Sequence, residues 1–304
     1  MRVAVTGATG TIGRAVVARL LERGDEVVTL SRDTDRAREL LGPRVEAFSW
    51  EDPASTRPPV RALAGCDAVL NLMGEPIEQR WSDPVKRRIR ESRVAGTRNL
   101  VEGLRPADPQ PKVLVSQSAS GRYGAHGDEP VDEEVPAGEG FLASVVVEWE
   151  REARRAEALG LRVALARTGV VLSESGGALS KMLPPFKLGV GGPVGGGGQY
   201  VPWIHVDDEV GALLFLLDSK AASGPVNVCA PRPATNRELS KALGRVLGRL
   251  AVAPVPGLAV KLLYGEMAQV VTSGVRMVPR RLQELGYPFR RPDLEPALRD
   301  VTER

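Results

Sequence analysis

The chain is poor in residues that bind metals or form crosslinks. Its 304 residues include two cysteines, Cys66 and Cys229, and two histidines, His126 and His205. The cysteines lie far apart, outside any metal-ligand spacing and beside apolar stretches. They read as small core residues of a protein in a reducing compartment. Two histidines exclude a histidine-rich metal centre, and no metal is expected. The longest apolar run, near Ala212 to Leu217, is far too short to cross a bilayer. No leader-like segment precedes the first strand, so a cytoplasmic protein without a membrane partner is expected. Charge of one sign is scarce too: 41 Lys and Arg stand against 38 Asp and Glu, a formal +3. The densest basic stretch, Lys86 to Arg93, is interrupted by Glu91 and reads as a solvated helix face, so no nucleic-acid partner is expected. With 42% hydrophobic and 26% charged residues, the chain is globular and long enough for one large domain or two closely joined ones.

The first thirteen residues carry the strongest positive signal. An apolar strand, Val3 to Val5, runs into Thr6-Gly7-Ala8-Thr9-Gly10-Thr11-Ile12-Gly13. A helix with Ile12, Val16, Val17, Leu20 and Leu21 on its apolar face follows. Gly7 permits a tight turn, Gly10 lets backbone approach a pyrophosphate, and Gly13 lets the helix pack against the strand. The helix N-terminus offers unpaired N–H groups and a positive dipole end to phosphates. A glycine triplet between a strand and a helix is the context that makes this fingerprint specific. A second strand, Glu26 to Leu30, ends in Ser31-Arg32. A carboxylate here would accept hydrogen bonds from the ribose of NAD; Arg32 offers a planar cation and Ser31 a hydroxyl, which suits the extra phosphate of NADP. Asp33 and Asp35 open the next helix and read as its N-terminal acids.

Strands and helices alternate onward. Val45–Phe48, Ala68–Leu72, Lys112–Ser116 and Leu161–Arg167 read as strands, with long helices over 83–104 and 141–159. This predicts an α/β fold: a Rossmann, doubly wound parallel sheet with helices on both faces. The pattern changes after Leu172. Residues 189 to 198 are glycine-dense and read either as a mobile lid or as a surface connection. The expected division is a dinucleotide-binding domain over 1–172, rejoined by 201–230, and a smaller, mainly helical lobe from 173–200 and 231–304.

Taken in order, these motifs resemble the extended short-chain dehydrogenase/reductase superfamily. Thr6 to Gly13 carries that likeness. Asn-Leu-Met-Gly-Glu-Pro-Ile at 71–77 with Arg80-Trp81, Ser-Ala-Ser-Gly-Arg-Tyr-Gly at 118–124 and Glu148-Trp149-Glu150 narrow it. So do Arg-Thr-Gly-Val-Val-Leu at 167–172 and Trp-Ile-His-Val-Asp-Asp at 203–208. They point to an atypical, epimerase-family branch labelled nucleoside-diphosphate-sugar-epimerase-like, and the likeness continues through 236–238, 254–256 and 265–267. The resemblance implies a sheet ordered 3-2-1-4-5-6-7 with NADP across its carboxyl end. The expected cofactor residues are Thr6, Gly7, Gly10, Thr11, Ile12, Gly13, Ser31, Arg32, Asn71, Gly74 and Arg167.

Typical members of that superfamily use a Ser–Tyr–Lys set, with Tyr and Lys four apart on the helix after strand five. Counting back from Glu150, Leu142 falls at the Tyr position and Val146 at the Lys position. Neither moves a proton. Ser118 matches the serine, with Ser120 as second choice; both also read as turn caps. Tyr123 and Glu75 lie in loops at the carboxyl ends of strands and complete the expected catalytic set, although Tyr123 also reads as loop packing and Glu75 as a solvated acid. His205 is a reserve acid or base. Glu148 and Glu150 read as surface partners of Arg151 and Arg154. Two functions follow: an NADP(H)-dependent oxidoreductase or epimerase-like enzyme acting on an unknown small molecule, or a non-catalytic NADP(H)-binding protein that senses redox state or holds a partner. The sequence does not fix the oligomeric state; a homodimer through the helices at 83–104 and 141–159 is compatible with it.

Overall fold

The computed structural model describes residues 1–251 and 253–303. Seven parallel strands form the central sheet: β1 (Arg2–Thr6), β2 (Glu26–Ser31), β3 (Val45–Ser49), β4 (Ala68–Asn71), β5 (Val113–Ala119), β7 (Arg162–Thr168) and β11 (Gly224–Val228). The sixth strand in the chain, β6 (Pro130–Val131), lies outside this sheet. The order is β3-β2-β1-β4-β5-β7-β11, which is the expected 3-2-1-4-5-6-7 when the central strands alone are counted. The sheet is buried on both faces, so its strands read as continuous apolar runs. Alternate side chains enter opposite cores. Val3, Val5, Leu70 and Val115 face the core beneath α1 (Thr11–Glu22) and α6 (Val206–Asp218). Ala4, Val69 and Leu114 face the core beneath α3 (Asp83–Leu104) and α4 (Phe141–Arg154). Full burial of each such Val or Leu stabilises the sheet by about 1.5–3 kcal/mol against leaving it in water. Between β2 and β3, α2 (Thr34–Leu41) starts at Asp33, whose carboxylate accepts the Arg36 N–H at 3.0 Å. The expected helix-opening acid is thus the N-cap itself.

Three two-stranded pairs lie outside the sheet: β8 (Val170–Leu172) with β10 (Trp203–His205), β9 (Tyr200–Val201) with β12 (Ala234–Thr235), and β6 with β13 (Arg276–Met277). A separate core joins Leu179, Leu183 and Phe186 of α5 (Gly177–Lys187) to Leu239 and Leu243 of α7 (Asn236–Val246) and to Leu298 of α11 (Leu294–Thr302). Thr235 and Glu238 form a capping box that starts α7. The later helices α8 (Gly257–Tyr264), α9 (Ala268–Thr272) and α10 (Arg280–Glu284) do not all stay in this lobe. Leu282 and Tyr287 pack into the core beneath α1 and α6, and the Tyr287 hydroxyl donates to the Asp208 carboxylate at 3.1 Å. Residues 282–289 therefore pack against the core beneath the sheet, a path that the lobe expected from 231–304 did not include. Cys66 and Cys229 are buried free thiols, in keeping with their reading as core residues.

Candidate dinucleotide site

The turn after β1 is built by three glycines under different constraints. Gly7 has φ +67°, and a Cβ there would lie 2.5 Å from the Leu72 carbonyl oxygen. A Cβ on Gly13 would lie 2.2 Å from the Gly7 carbonyl oxygen. Both positions are closed by backbone. Gly10 is exposed, and its Cβ would meet only the Gly7 oxygen, at 3.3 Å. Its outer face is open. Gly10 is also the N-cap of α1, with no capping side chain and no acid in the first turn. A helix end left uncapped and without a carboxylate is suited to an anion. The cradle fits a dinucleotide pyrophosphate. Thr11 sits beside a second segment: a Cβ on Gly176 would lie 2.2 Å from the Thr11 hydroxyl oxygen. Ile12 packs against the core and orients the first turn.

At the end of β2, Ser31 is used locally. Its hydroxyl donates to the Asp33 carbonyl at 2.8 Å and accepts the Asp33 N–H at 3.1 Å. The resulting turn presents Arg32, which is exposed and makes no ion pair among the described residues. Its guanidinium is available to a phosphate.

Two expected cofactor residues have a different place. Thr6 and Asn71 are buried. The Thr6 hydroxyl donates to the Asn71 side-chain oxygen at 2.8 Å, and the Asn71 amide donates to Thr97 at 2.9 Å and Ser116 at 3.0 Å. Trp149 Nε1 donates to the same Thr97 hydroxyl at 2.9 Å. This network ties β1, β4, β5, α3 and α4 together beneath the turn. Its polar atoms are already paired inside the protein, so Thr6 and Asn71 support the cradle from below.

The loop after β4 forms the next wall. Gly74 is exposed and Glu75 half-buried. Two residues of α3 grip the Glu75 backbone. The Ser92 hydroxyl accepts its N–H at 3.0 Å, and Arg93 Nη1 donates to its carbonyl at 2.9 Å. The Glu75 carboxylate faces Arg88 at 3.5 Å and Gln79 at 3.2 Å. The basic run at 86–93 is therefore only partly a solvated face. Lys86 pairs with Glu266 and Arg90 with Glu148, while Arg93 turns inward. The run's charge masked this from the sequence; the one available signal was the place of Arg93 four residues from the apolar Ile89, on one helix face.

The catalytic set is altered by burial. Tyr123 has no exposed surface. Its hydroxyl donates to the Asn227 side-chain oxygen at 2.6 Å and accepts from Arg167 Nη1 at 2.8 Å. Burial pushes the phenol pKa up to about 12 against the opposing pull of Arg167. Ser118 lies within β5 rather than beyond it, and its hydroxyl donates to Glu150 Oε1 at 2.7 Å. Arg167 grips the two Glu150 oxygens at 2.8 and 3.0 Å. Burial opposes the Arg167 charge, yet the Glu150 bonds outweigh it and its pKa is raised. Ser118, Tyr123 and Arg167 are therefore interior members of one ion-pair network, not groups at the cleft. Their polarity in the sequence reflects Glu150, which is buried and not a surface partner of Arg154; Glu148 likewise pairs with Arg90 rather than Arg151. Leu142 is half-buried against Gly121, and Val146 is buried. His205 has no exposed surface. Its Nδ1 accepts the Asp207 N–H at 3.0 Å and its Nε2 lies 3.1 Å from Asp300, so it serves as the N-cap of α6.

An open glycine turn, an uncapped helix end and a cation after β2, all at the carboxyl edge of a doubly wound sheet, define a dinucleotide-binding Rossmann protein. Residues 3–229 match the model of the NAD dependent epimerase/dehydratase family, and residues 255–301 match a domain of unknown function, DUF1731. The chain belongs to the NAD dependent epimerase/dehydratase family. It is 39% identical over 310 residues to the chloroplastic epimerase family protein SDR39U1 homolog of Arabidopsis thaliana, covering 99% of this chain and 86% of that protein. It is 40% identical over 304 residues to epimerase family protein Mb2239 of Mycobacterium bovis, covering 99% and 98%. Among solved structures, human epimerase family protein SDR39U1 (isoform2), crystallised with NADPH, superposes with a TM-score of 0.89 at 35% identity and full coverage of both chains.

Proposed function

We propose that this chain is an NADP(H)-dependent oxidoreductase acting on a small molecule. The observation that carries this reading is the cradle: the open Gly10 face and uncapped α1 terminus, with unpaired Arg32 one strand away. The crystallisation of the human relative with NADPH supports the same cofactor. When bound, the dinucleotide supplies a hydride. The protein's part is to hold the pyrophosphate on the backbone of residues 10–13, to take the 2′-phosphate on Arg32, and to manage a proton. Of the three expected acid–base groups, Glu75 alone keeps its functional group in a half-buried loop at the sheet edge. It is the proton carrier in this reading. Leu142 and Val146 exclude water without exchanging protons, so Tyr–Lys chemistry on a sugar nucleotide is not expected.

The burial of Ser118 and Tyr123 favours a second reading, a protein that binds NADP(H) without turnover. Fluorescence titration with NADPH and NADH tests the cofactor, with Arg32→Ala expected to lose about 1.5 kcal/mol, about tenfold, toward NADPH only. Equal affinity of the unaltered protein for both would overturn the preference. NADPH oxidation over a panel of carbonyl compounds then separates the readings. Turnover that falls in Glu75→Gln with unchanged NADPH affinity supports the enzyme; no oxidation of any compound supports the binding protein.

A further inference from the structure

Three cations around the loop after β4 have no carboxylate within ion-pair distance among the described residues, although Glu78 and Glu75 act on Arg93 through space. Arg80 donates to the Leu262 carbonyl at 3.0 Å, and Lys181 of α5 donates to the Glu78 carbonyl. Arg93 donates through Nη1 to the carbonyls of Glu75 at 2.9 Å and Ile89 at 3.3 Å. Among the described residues none of the three forms an ion pair, and Arg93 Nε and Nη2 make no hydrogen bond. The Glu75 carboxylate, though near, is engaged by Arg88 and Gln79. Arg80, Lys181, Arg93 and Arg88 outnumber the Glu75 and Glu78 carboxylates of this loop, and an excess of cations on one wall concentrates anions.

Arg93 is the most constrained of them. The Trp149 ring stacks 5.3 Å from its Cζ. A Cβ on Gly74 would lie 2.9 Å from Cζ and from Nη2, so glycine is what lets the loop close over the guanidinium. Burial lowers its pKa to about 10, and the group stays charged at neutral pH. The half-buried guanidinium has Glu78 and Glu75 near it but neither in direct contact, and its planar fork matches a carboxylate or phosphate. Trp149 follows Val146 by three residues on α4, so this cation stands one helical turn from the place where α4 carries no lysine.

We propose that Arg93 is the anion-recognition residue of the cleft, and that its free Nε–Nη2 edge takes a carboxylate or phosphate oxygen of the small molecule bound beside the dinucleotide. Acidic metabolites are then the substrate class. The inference rests on the cleft being the NADP(H) site described above. The same chemistry has a second source, a phosphate of the dinucleotide, and the experiment separates the two.

NADPH affinity is measured by fluorescence titration. Malonate and inorganic phosphate are then titrated by calorimetry into the protein with and without saturating NADPH, using the unaltered chain, Arg93→Met and Arg93→Lys. Thermal melts verify folding, and Arg93→Lys keeps the charge and stem should Arg93→Met fold poorly. Expected is anion binding by the unaltered protein, weakened about tenfold or more in Arg93→Met and less in Arg93→Lys, with NADPH affinity within about twofold. Unchanged anion affinity in both variants, or no anion binding by the unaltered chain, overturns the proposal. A loss confined to NADPH affinity assigns Arg93 to the dinucleotide phosphate and overturns the substrate class. Absence of NADPH binding by the unaltered chain overturns the cofactor reading alone, because the anion titration without NADPH still reports on Arg93.

Discussion

Gly7, Gly10 and Gly13 look alike in the sequence, yet the backbone around them asks for different things. Gly13 is closed by the Gly7 carbonyl at 2.2 Å, whereas Gly10 has only the same oxygen at 3.3 Å. Gly13→Ala should destabilise the fold by about 1–3 kcal/mol, the range for overpacking, and lower the melting temperature along with dinucleotide affinity. Gly10→Ala should melt close to the unaltered protein while binding NADPH poorly, because its Cβ occupies the open face. Melting curves paired with fluorescence titration distinguish them; equal destabilisation would refute the distinction. Tyr123 makes a second residue-level test. Tyr123→Phe leaves the Asn227 oxygen and one Arg167 donor without their shared hydroxyl, and should cost about 1–3 kcal/mol in chemical denaturation. Turnover per folded molecule should stay unchanged, since the hydroxyl lies in the interior. A large fall in turnover with intact stability would restore Tyr123 as a proton donor.

At the scale of elements, periodicity made the central strands and α3 readable: the helix expected over 83–104 is Asp83–Leu104. Polar residues moved the other boundaries. β5 extends through Ser116, Gln117 and Ser118 to Ala119 because buried partners satisfy those side chains, and a sequence shows a hydroxyl without its partner. The cradle was legible because its signal is local. The Arg167–Glu150 network was not, because its members are brought together from separate parts of the chain. Helix α6 carries a further buried acid of this kind. Glu209 has no exposed surface and accepts from the Thr168 hydroxyl at 2.9 Å; burial raises its pKa to about 8 despite that bond. Folded protein thus holds this proton where unfolded protein releases it. The contribution to stability is complete below the ordinary carboxylate range and is lost as pH rises from about 5 to about 8. Glu209→Gln should flatten that decline by a few kcal/mol in urea denaturation across the window, and a parallel decline in both proteins would contradict it.

For the whole molecule, the glycine turn and Arg32 stand at one edge of the central sheet, and a separate core holds α5, α7 and α11 together. No helix among the described residues is long and apolar enough to span a membrane. The loop over residues 74–81 is the meeting point. It is gripped from α3 by Ser92 and Arg93, and joined to the later helices through Arg80 and to α5 through Lys181. Its shape therefore depends on elements drawn from both parts of the chain, which no stretch of sequence reveals by itself.

Gly176, the residue that caps α5, rests on the Thr11 hydroxyl. A ligand seated on the first turn of α1 therefore shares a wall with the first turn of α5. Occupancy of the glycine turn and order at the start of α5 should then be linked quantities. Hydrogen exchange gives that linkage a number. Amides of 176–183 should exchange several-fold more slowly once NADPH is bound. If α5 exchanges at one rate with and without the dinucleotide, the two lobes are neighbours without communication.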